Sequence, residues 1–85
     1  MKILRKIYYM EKQIKDGTAH IPAYSDILKE ARRHYPDYCD ACALFYFMQI
    51  LSAMIEHAGP ERKTYAEKIL TRVKELLLIF TERRN

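Results

Sequence analysis

The feature that most constrains this chain is an apolar segment at its centre. From residue 41 to residue 55, only Gln49 and Ser52 are clearly polar, and no basic residue occurs although the chain has 15 lysines and arginines. A helix that is apolar nearly all round must be covered by other elements. The segment is also shorter than the ~20 apolar residues needed to cross a bilayer. We therefore predict a central helix around which the other helices pack.

Apolar spacing and helix-end residues predict three further helices. Ile3, Ile7, Met10 and Ile14 recur every three or four residues, which is typical of one amphipathic helix over residues 2–16 that ends at Gly17. Caps and prolines predict the other boundaries. Ser25 or Asp26 caps a short helix that ends at Tyr35, before Pro36. Asp37 caps the central helix, and Gly59-Pro60 separates that helix from a last helix that reaches about Arg83.

These elements predict an all-α fold. The architecture is an antiparallel helical bundle of three long helices and one short helix, with a nearly all-apolar central helix, in a single domain of residues 1–85. The amino terminus lacks the apolar stretch of a signal peptide. Two cysteines only three positions apart fit a reducing compartment. A cytoplasmic location is therefore expected.

Charge is divided along the chain. Residues 1–36 carry eight basic and four acidic residues (+4), residues 37–58 carry none and three (−3), and residues 59–85 carry seven and four (+3). Basic side chains near helix ends can be solvated only, or they can contact phosphates of nucleic acid or of an anionic membrane. The candidate partner-binding surface comprises these bases and two apolar residues of the last helix: Lys29, Arg32, Arg33, His34, Leu78, Ile79, Arg83 and Arg84.

The pair Cys39-x-x-Cys42 is the only cluster with potential for redox or metal chemistry. It falls at a helix start, where thiol pKa values are lowered. The strand–helix–strand context of redox proteins is missing, however, and no histidine stands at a spacing that completes a standard zinc site. We predict that both cysteines are small buried apolar residues. No catalytic group with a base and an orienting partner is recognisable, so we predict a non-enzyme without metal or cofactor.

Residues 22–28, Pro-Ala-Tyr-Ser-Asp-Ile-Leu, follow one amphipathic helix and precede three further helical segments. This arrangement resembles the immunity proteins that protect lactic-acid bacteria against class IIa bacteriocins, particularly the enterocin A type. The resemblance implies a cytosolic antiparallel four-helix bundle that acts by binding at a sugar-transporter receptor engaged by the bacteriocin. The match covers about a tenth of the chain, and Pro36 makes the second helix shorter than the family's.

Two classes of function follow from the sequence. The first is a non-catalytic protein that binds a protein partner, with a bacteriocin-immunity role as its most concrete form. The alternative is a small basic nucleic-acid-associated regulator of phage or plasmid type, acting as a dimer. Leu78 and Ile79 widen the apolar face of the last helix, so a homodimer is expected in either case.

Overall fold

The computed structural model describes residues 3–82, apart from the side chains of residues 4, 6 and 8. Five helices follow one another, and every other described residue lies in a turn or an irregular connection. They are α1 (Ile3–Tyr9), α2 (Glu11–Asp16), α3 (Tyr24–His34), α4 (Asp40–His57) and α5 (Pro60–Glu82). The predicted all-α helical bundle is confirmed. Two residues of the candidate surface, Arg83 and Arg84, lie outside the described part of the chain.

The centre of the bundle is the pair formed by α4 and α5. Only two residues separate these helices, so they run antiparallel and pack along most of their length. α3 packs on α4 and more lightly on α5, while α1 and α2 lie along α5. The fully buried large side chains come from four of the five helices: Ile7, Ile27, Leu44, Phe47, Leu51, Ile69 and Val73. Each such side chain contributes about 1.5 to 3 kcal/mol of burial free energy.

The first predicted helix is divided in two. Met10, with φ −97° and ψ 31°, leaves helical geometry and separates α1 from α2. α1 buries Ile3 and Ile7, whereas α2 has no buried residue. The apolar spacing of residues 3–14 thus predicted the helical content but not the break. Gly17 ends α2 in the left-handed conformation with φ 75°, as its position predicted.

Two of the predicted helix caps are wrong. α3 begins at Tyr24, because extended Ala23 precedes it and the N–H groups of Asp26 and Ile27 both donate to the Ala23 carbonyl. α4 begins after Cys39, whose Sγ accepts a hydrogen bond from the Cys42 N–H at 3.4 Å. Ser25, Asp26 and Asp37 therefore do not have the capping roles that the sequence predicted.

The central helix is less covered than its composition predicted. α3 and α5 pack against one side of α4 and leave an outer stripe exposed: Cys42, Phe45, Tyr46, Gln49, Ser52, Ala53, Glu56 and His57. The predicted polar strip of Gln49, Ser52 and Glu56 is indeed exposed, but two aromatic residues extend it toward the start of the helix. Within the described residues, no helix has the length and apolar character needed to span a membrane.

Candidate functional site

Four aromatic side chains gather where α3 gives way to α4. We call Tyr35, Tyr38, Phe45 and Tyr46 the aromatic patch. The Tyr46 ring lies 5.4 Å from Tyr35, 5.3 Å from Tyr38 and 5.8 Å from Phe45, measured between ring centroids. Tyr35 and Tyr38 are also 5.9 Å apart. These separations fall within the 4.5–7 Å range of favourable aromatic pairs, so the rings support one another.

The chain brings these rings together through a tight corner. α3 ends at His34, and after a corner of five residues α4 starts back alongside it. The corner carries Tyr35 and Tyr38, and the Tyr38 N–H donates to the Tyr35 carbonyl at 3.2 Å. Phe45 and Tyr46 come from the second turn of α4, on the stripe that no other helix covers. The patch therefore depends on both the corner and the open face of α4.

The aromatic patch remains in contact with solvent. Tyr38 is 49% exposed, Phe45 45% and Tyr46 39%, while Tyr35 is partly buried against the core. Scattered apolar residues are normal on a protein surface, but a contiguous group of rings is characteristic of a binding surface. Tyrosine is enriched at protein interfaces because it has a large apolar ring and a polar tip. The arrangement is suited to holding another macromolecule through apolar contact.

Basic side chains at the end of α3, where the chain enters the corner, pair with acids. Arg32 forms an ion pair with Asp40 at the start of α4. Arg33 NH1 lies 3.9 Å from one carboxylate oxygen of Glu30, and His34 Nε2 lies 3.5 Å from the other. The His34 ring also stacks on buried Phe47, with centroids 6.1 Å apart. The basic cluster predicted at the end of α3 is therefore partly neutralised within the molecule.

The remaining residues of the predicted surface are dispersed. Lys29 is exposed on α3, and Leu78 and Ile79 are 60% and 47% exposed on α5. Neither Leu78 nor Ile79 belongs to the aromatic patch. Of the candidate residues, the structure thus places His34 against the patch, with its ring centroid 6.3 Å from that of Tyr35. It leaves the apolar pair on a different helix.

The prediction that Cys39 and Cys42 are buried is wrong. Both are exposed at the amino-terminal end of α4, beside Tyr38. Cys39 serves as the cap of α4 rather than as a core residue, and Cys42 lies on the exposed stripe of that helix while its neighbours Ala43 and Leu44 are buried. Among the residues that the structure describes, no group of three or more histidines, cysteines or acids is placed to hold a metal ion.

A second feature is a cavity of about 770 Å³. It lies between α3, the connection of residues 17–23, and the pair of helices α1 and α2, which we call the α1–α2 arm. Tyr65 of α5 lies at its base, and its hydroxyl donates to the His20 carbonyl at 2.6 Å. Burial raises the pKa of Tyr65. Arg72 donates to the Pro22 carbonyl at 2.6 Å and lies over the Tyr24 ring. These contacts fasten the connection to α5 and keep the cavity walls in place.

Tyr24 begins α3 and is tied to α5 by its hydroxyl. It donates to Glu75 Oε1 at 3.0 Å. This hydrogen bond raises the pKa of Tyr24, burial and the Glu75 charge act in the same direction, and the Arg72 charge opposes them. In the sequence, Tyr24 stood out only within the segment of residues 22–28. The structure shows that it links the start of that segment to the last helix.

Sequence reasoning missed both the aromatic patch and the cavity. Tyr35 and Tyr38 flank the corner, and Phe45 and Tyr46 lie in a run where every position is apolar, so no periodicity separated exposed from buried rings. The only available signal was the polar strip of Gln49, Ser52 and Glu56. Extending that strip backward by helical spacing reaches residues 45 and 46.

Compared with protein-family models, curated proteins and solved structures, the chain matches none.

Proposed function

We propose that this protein is a non-catalytic helical bundle that binds a protein partner through the aromatic patch. The observation that carries the proposal is the contact of four rings, three of them 39–49% exposed, at one corner of the bundle. Binding energy at protein interfaces concentrates in a few central aromatic and arginine side chains. Tyr38, Phe45 and Tyr46 supply such rings on the exposed side of the patch.

The charge around the patch favours a protein over a nucleic acid. Nucleic-acid binding depends on basic side chains that neutralise phosphates. At the end of α3, Arg32 is paired with Asp40, and Arg33 and His34 both approach Glu30. Less positive charge is therefore available than the count of bases in α3 indicated. A nucleic-acid-associated regulator remains the alternative, which the salt dependence of DNA binding tests.

Site-specific photo-crosslinking tests the proposal. A photoreactive phenylalanine at position 45 should give a crosslinked adduct in the native host, because a partner seated on the patch contacts this ring. The matched control carries the same group at position 79, where Ile79 is as exposed as Phe45 but lies on α5. Adduct formation at 45 should disappear with Tyr46→Ser. Equal crosslinking at 45 and 79, or crosslinking unaffected by Tyr46→Ser, would contradict the proposal.

The mass of the adduct distinguishes the possible partners. The expected homodimer would give twice the chain mass of 10.2 kDa, whereas a different protein would give another mass. The resemblance of residues 22–28 to bacteriocin immunity proteins makes protection the most concrete role. Expression in a bacterium sensitive to a class IIa bacteriocin should then confer resistance, and Tyr46→Ser should reduce it. Unchanged sensitivity to the bacteriocin would exclude the immunity role. The crosslinking result would then decide by itself whether the patch binds a partner.

A further inference from the structure

The cavity beside α3 differs from the aromatic patch in place and in lining. Its volume of about 770 Å³ lies within the 300–1,000 Å³ typical of sites for small molecules. No residue of the patch lines it. It is bounded by the α1–α2 arm on one side and by α3 on the other.

The two walls of the cavity differ in chemistry. The first wall is mostly apolar: it contains Ile3, Met10, Ile21, Pro22 and Ala23, together with the polar residues Gln13, Thr18 and His20. The second wall is one face of α3, where charged residues recur at helical spacing: Asp26, Lys29, Glu30 and Arg33. A ligand that fills this space therefore meets hydrocarbon on one side and charge on the other. That combination selects a molecule with an apolar body and a charged end.

Glu30 favours a positive charge at the charged end of the ligand. It is only 3% exposed and is the only buried polar or charged residue in the described part of the chain. The basic nitrogens that approach its carboxylate are Arg33 Nη1 at 3.9 Å and His34 Nε2 at 3.5 Å, both beyond the usual 2.7–3.2 Å of an N–H···O bond. Within that same part of the chain, Glu30 Oε2 and the His34 Nε2 that it faces both lack a hydrogen-bond partner. A buried carboxylate without close donors is costly, so an entering N–H group would be favoured.

The other charges of the wall do not reverse this preference. Lys29 and Asp26 are exposed and opposite in sign, so they offset each other. Arg33 is half exposed and already near Glu30. The buried part of the wall is thus negative, and the exposed part is close to neutral. A charged group that reaches the buried part of the wall therefore meets the Glu30 carboxylate.

We propose that this cavity binds an alkyl chain that ends in a primary ammonium group, with the ammonium donating hydrogen bonds to Glu30. The apolar wall covers the chain, and the buried carboxylate receives the charge. A free aliphatic amine and the side chain of a lysine share this chemistry. The inference is independent of the aromatic patch and of the proposed partner.

Titration of the full-length protein followed by amide chemical shifts tests the inference. Hexylamine should perturb the amides of residues 18–21, Ala23 and α3, while hexanoate, of similar length but opposite charge, should bind at least about tenfold more weakly. Glu30→Gln should weaken hexylamine binding by about tenfold or more, and Glu67→Gln, an exposed glutamate of α5, should leave it unchanged. Equal binding of hexylamine and hexanoate, or undiminished binding to Glu30→Gln, would overturn the inference.

A second variant keeps the test decisive if Glu30→Gln does not fold. Ala23→Phe fills the cavity from an exposed position and leaves Glu30 in place. It should abolish hexylamine binding, and unchanged affinity would overturn the inference. A lysine capped at both ends distinguishes the two sources. If capped lysine and hexylamine each bind, the ligand of the cavity is a protein side chain. If only hexylamine binds, the ligand is a free amine.

Discussion

At the scale of single residues, Tyr65 joins elements that are distant in sequence. It is 7% exposed on α5, and its hydroxyl donates to the His20 carbonyl, 45 positions earlier. Its ring packs in the core, while its hydroxyl holds the connection that precedes α3. Because burial disfavours the charged phenolate, the pKa of Tyr65 is raised. Ionisation of Tyr65 therefore removes the proton that holds the connection through the His20 carbonyl.

The raised pKa of Tyr65 predicts a loss of stability at alkaline pH. A group whose pKa is higher in the folded state contributes stability that is present below its unfolded pKa of about 10 and is lost as pH rises through the folded value. Tyr65→Phe should lower the free energy of unfolding at neutral pH by about 1 kcal/mol, through the lost hydrogen bond. It should also make the decline above about pH 10 shallower. Urea unfolding at a series of pH values measures both effects.

Tyr38→Phe is the matched control, because Tyr38 is 49% exposed whereas Tyr65 is buried. It should keep the stability of the unaltered protein at neutral pH and the same alkaline decline. If Tyr65→Phe declined as steeply as the Tyr38→Phe protein, the link between burial of Tyr65 and alkaline stability would be wrong.

At the scale of helices and connections, the ends of the elements determine where the functional surfaces lie. The five-residue corner between α3 and α4 places Tyr35 and Tyr38 next to Phe45 and Tyr46. The connection after α2 turns at Gly17, where the Gly17 and Thr18 N–H groups donate to the Ile14 and Gln13 carbonyls. This turn starts the segment that forms one wall of the cavity.

The two glycines of the chain provide a matched pair for testing these ends. Gly17 has φ 75°, whereas Gly59 does not adopt positive φ, and an added Cβ would have open space at both positions. Gly17→Ala should destabilise the protein by about 1 kcal/mol, since a left-handed alanine is strained. Gly59→Ala should stay within about 0.5 kcal/mol or increase stability, because it restricts the unfolded chain. Thermal unfolding of both variants measures the difference, and equal effects would contradict the assignment of strain to Gly17.

At the scale of the whole molecule, charge and apolar surface are separated. The helices before and after α4 carry the positive charge, and α4 presents rings, small residues and only Glu56 as a charged group on its exposed stripe. Arg32 links the two regions through Asp40. The basic character of the chain therefore lies on the helices other than α4, whose exposed stripe carries no lysine or arginine.

This arrangement predicts weak and salt-sensitive association with DNA. Exposed bases should bind a labelled duplex at low salt, and binding should be lost between about 50 and 200 mM salt, because few phosphates are neutralised. Arg32→Gln combined with Arg33→Gln should have little effect on partner crosslinking at position 45. Fluorescence anisotropy measures the DNA affinity. Sub-micromolar binding that survives physiological salt would favour the nucleic-acid regulator over the protein-binding function.

The sequence was sufficient for the helical content because that information is local. The apolar run of α4, the spacing of Ile69 and Val73, and the turn at Gly17 each depend on a few neighbouring residues. Helix ends were less predictable: Ala23 and Cys39 replaced the expected polar caps, and Met10 interrupted a regular stripe. These differences arise because packing of the flanking elements determines where a marginal helix starts or breaks.

Only the tertiary structure decided which surfaces are open. Phe45, Tyr46 and Phe47 are consecutive aromatic residues of similar hydrophobicity, yet Phe47 is fully buried and the other two are exposed. In a helix that is apolar all round, periodicity cannot choose a face, so the choice falls to the helices that pack against it. Glu30 shows the reverse case, since a charged residue of an amphipathic helix became buried beside His34 and Arg33. Composition determined that α4 would be central, and the positions of α3 and α5 determined which of its residues a partner can reach.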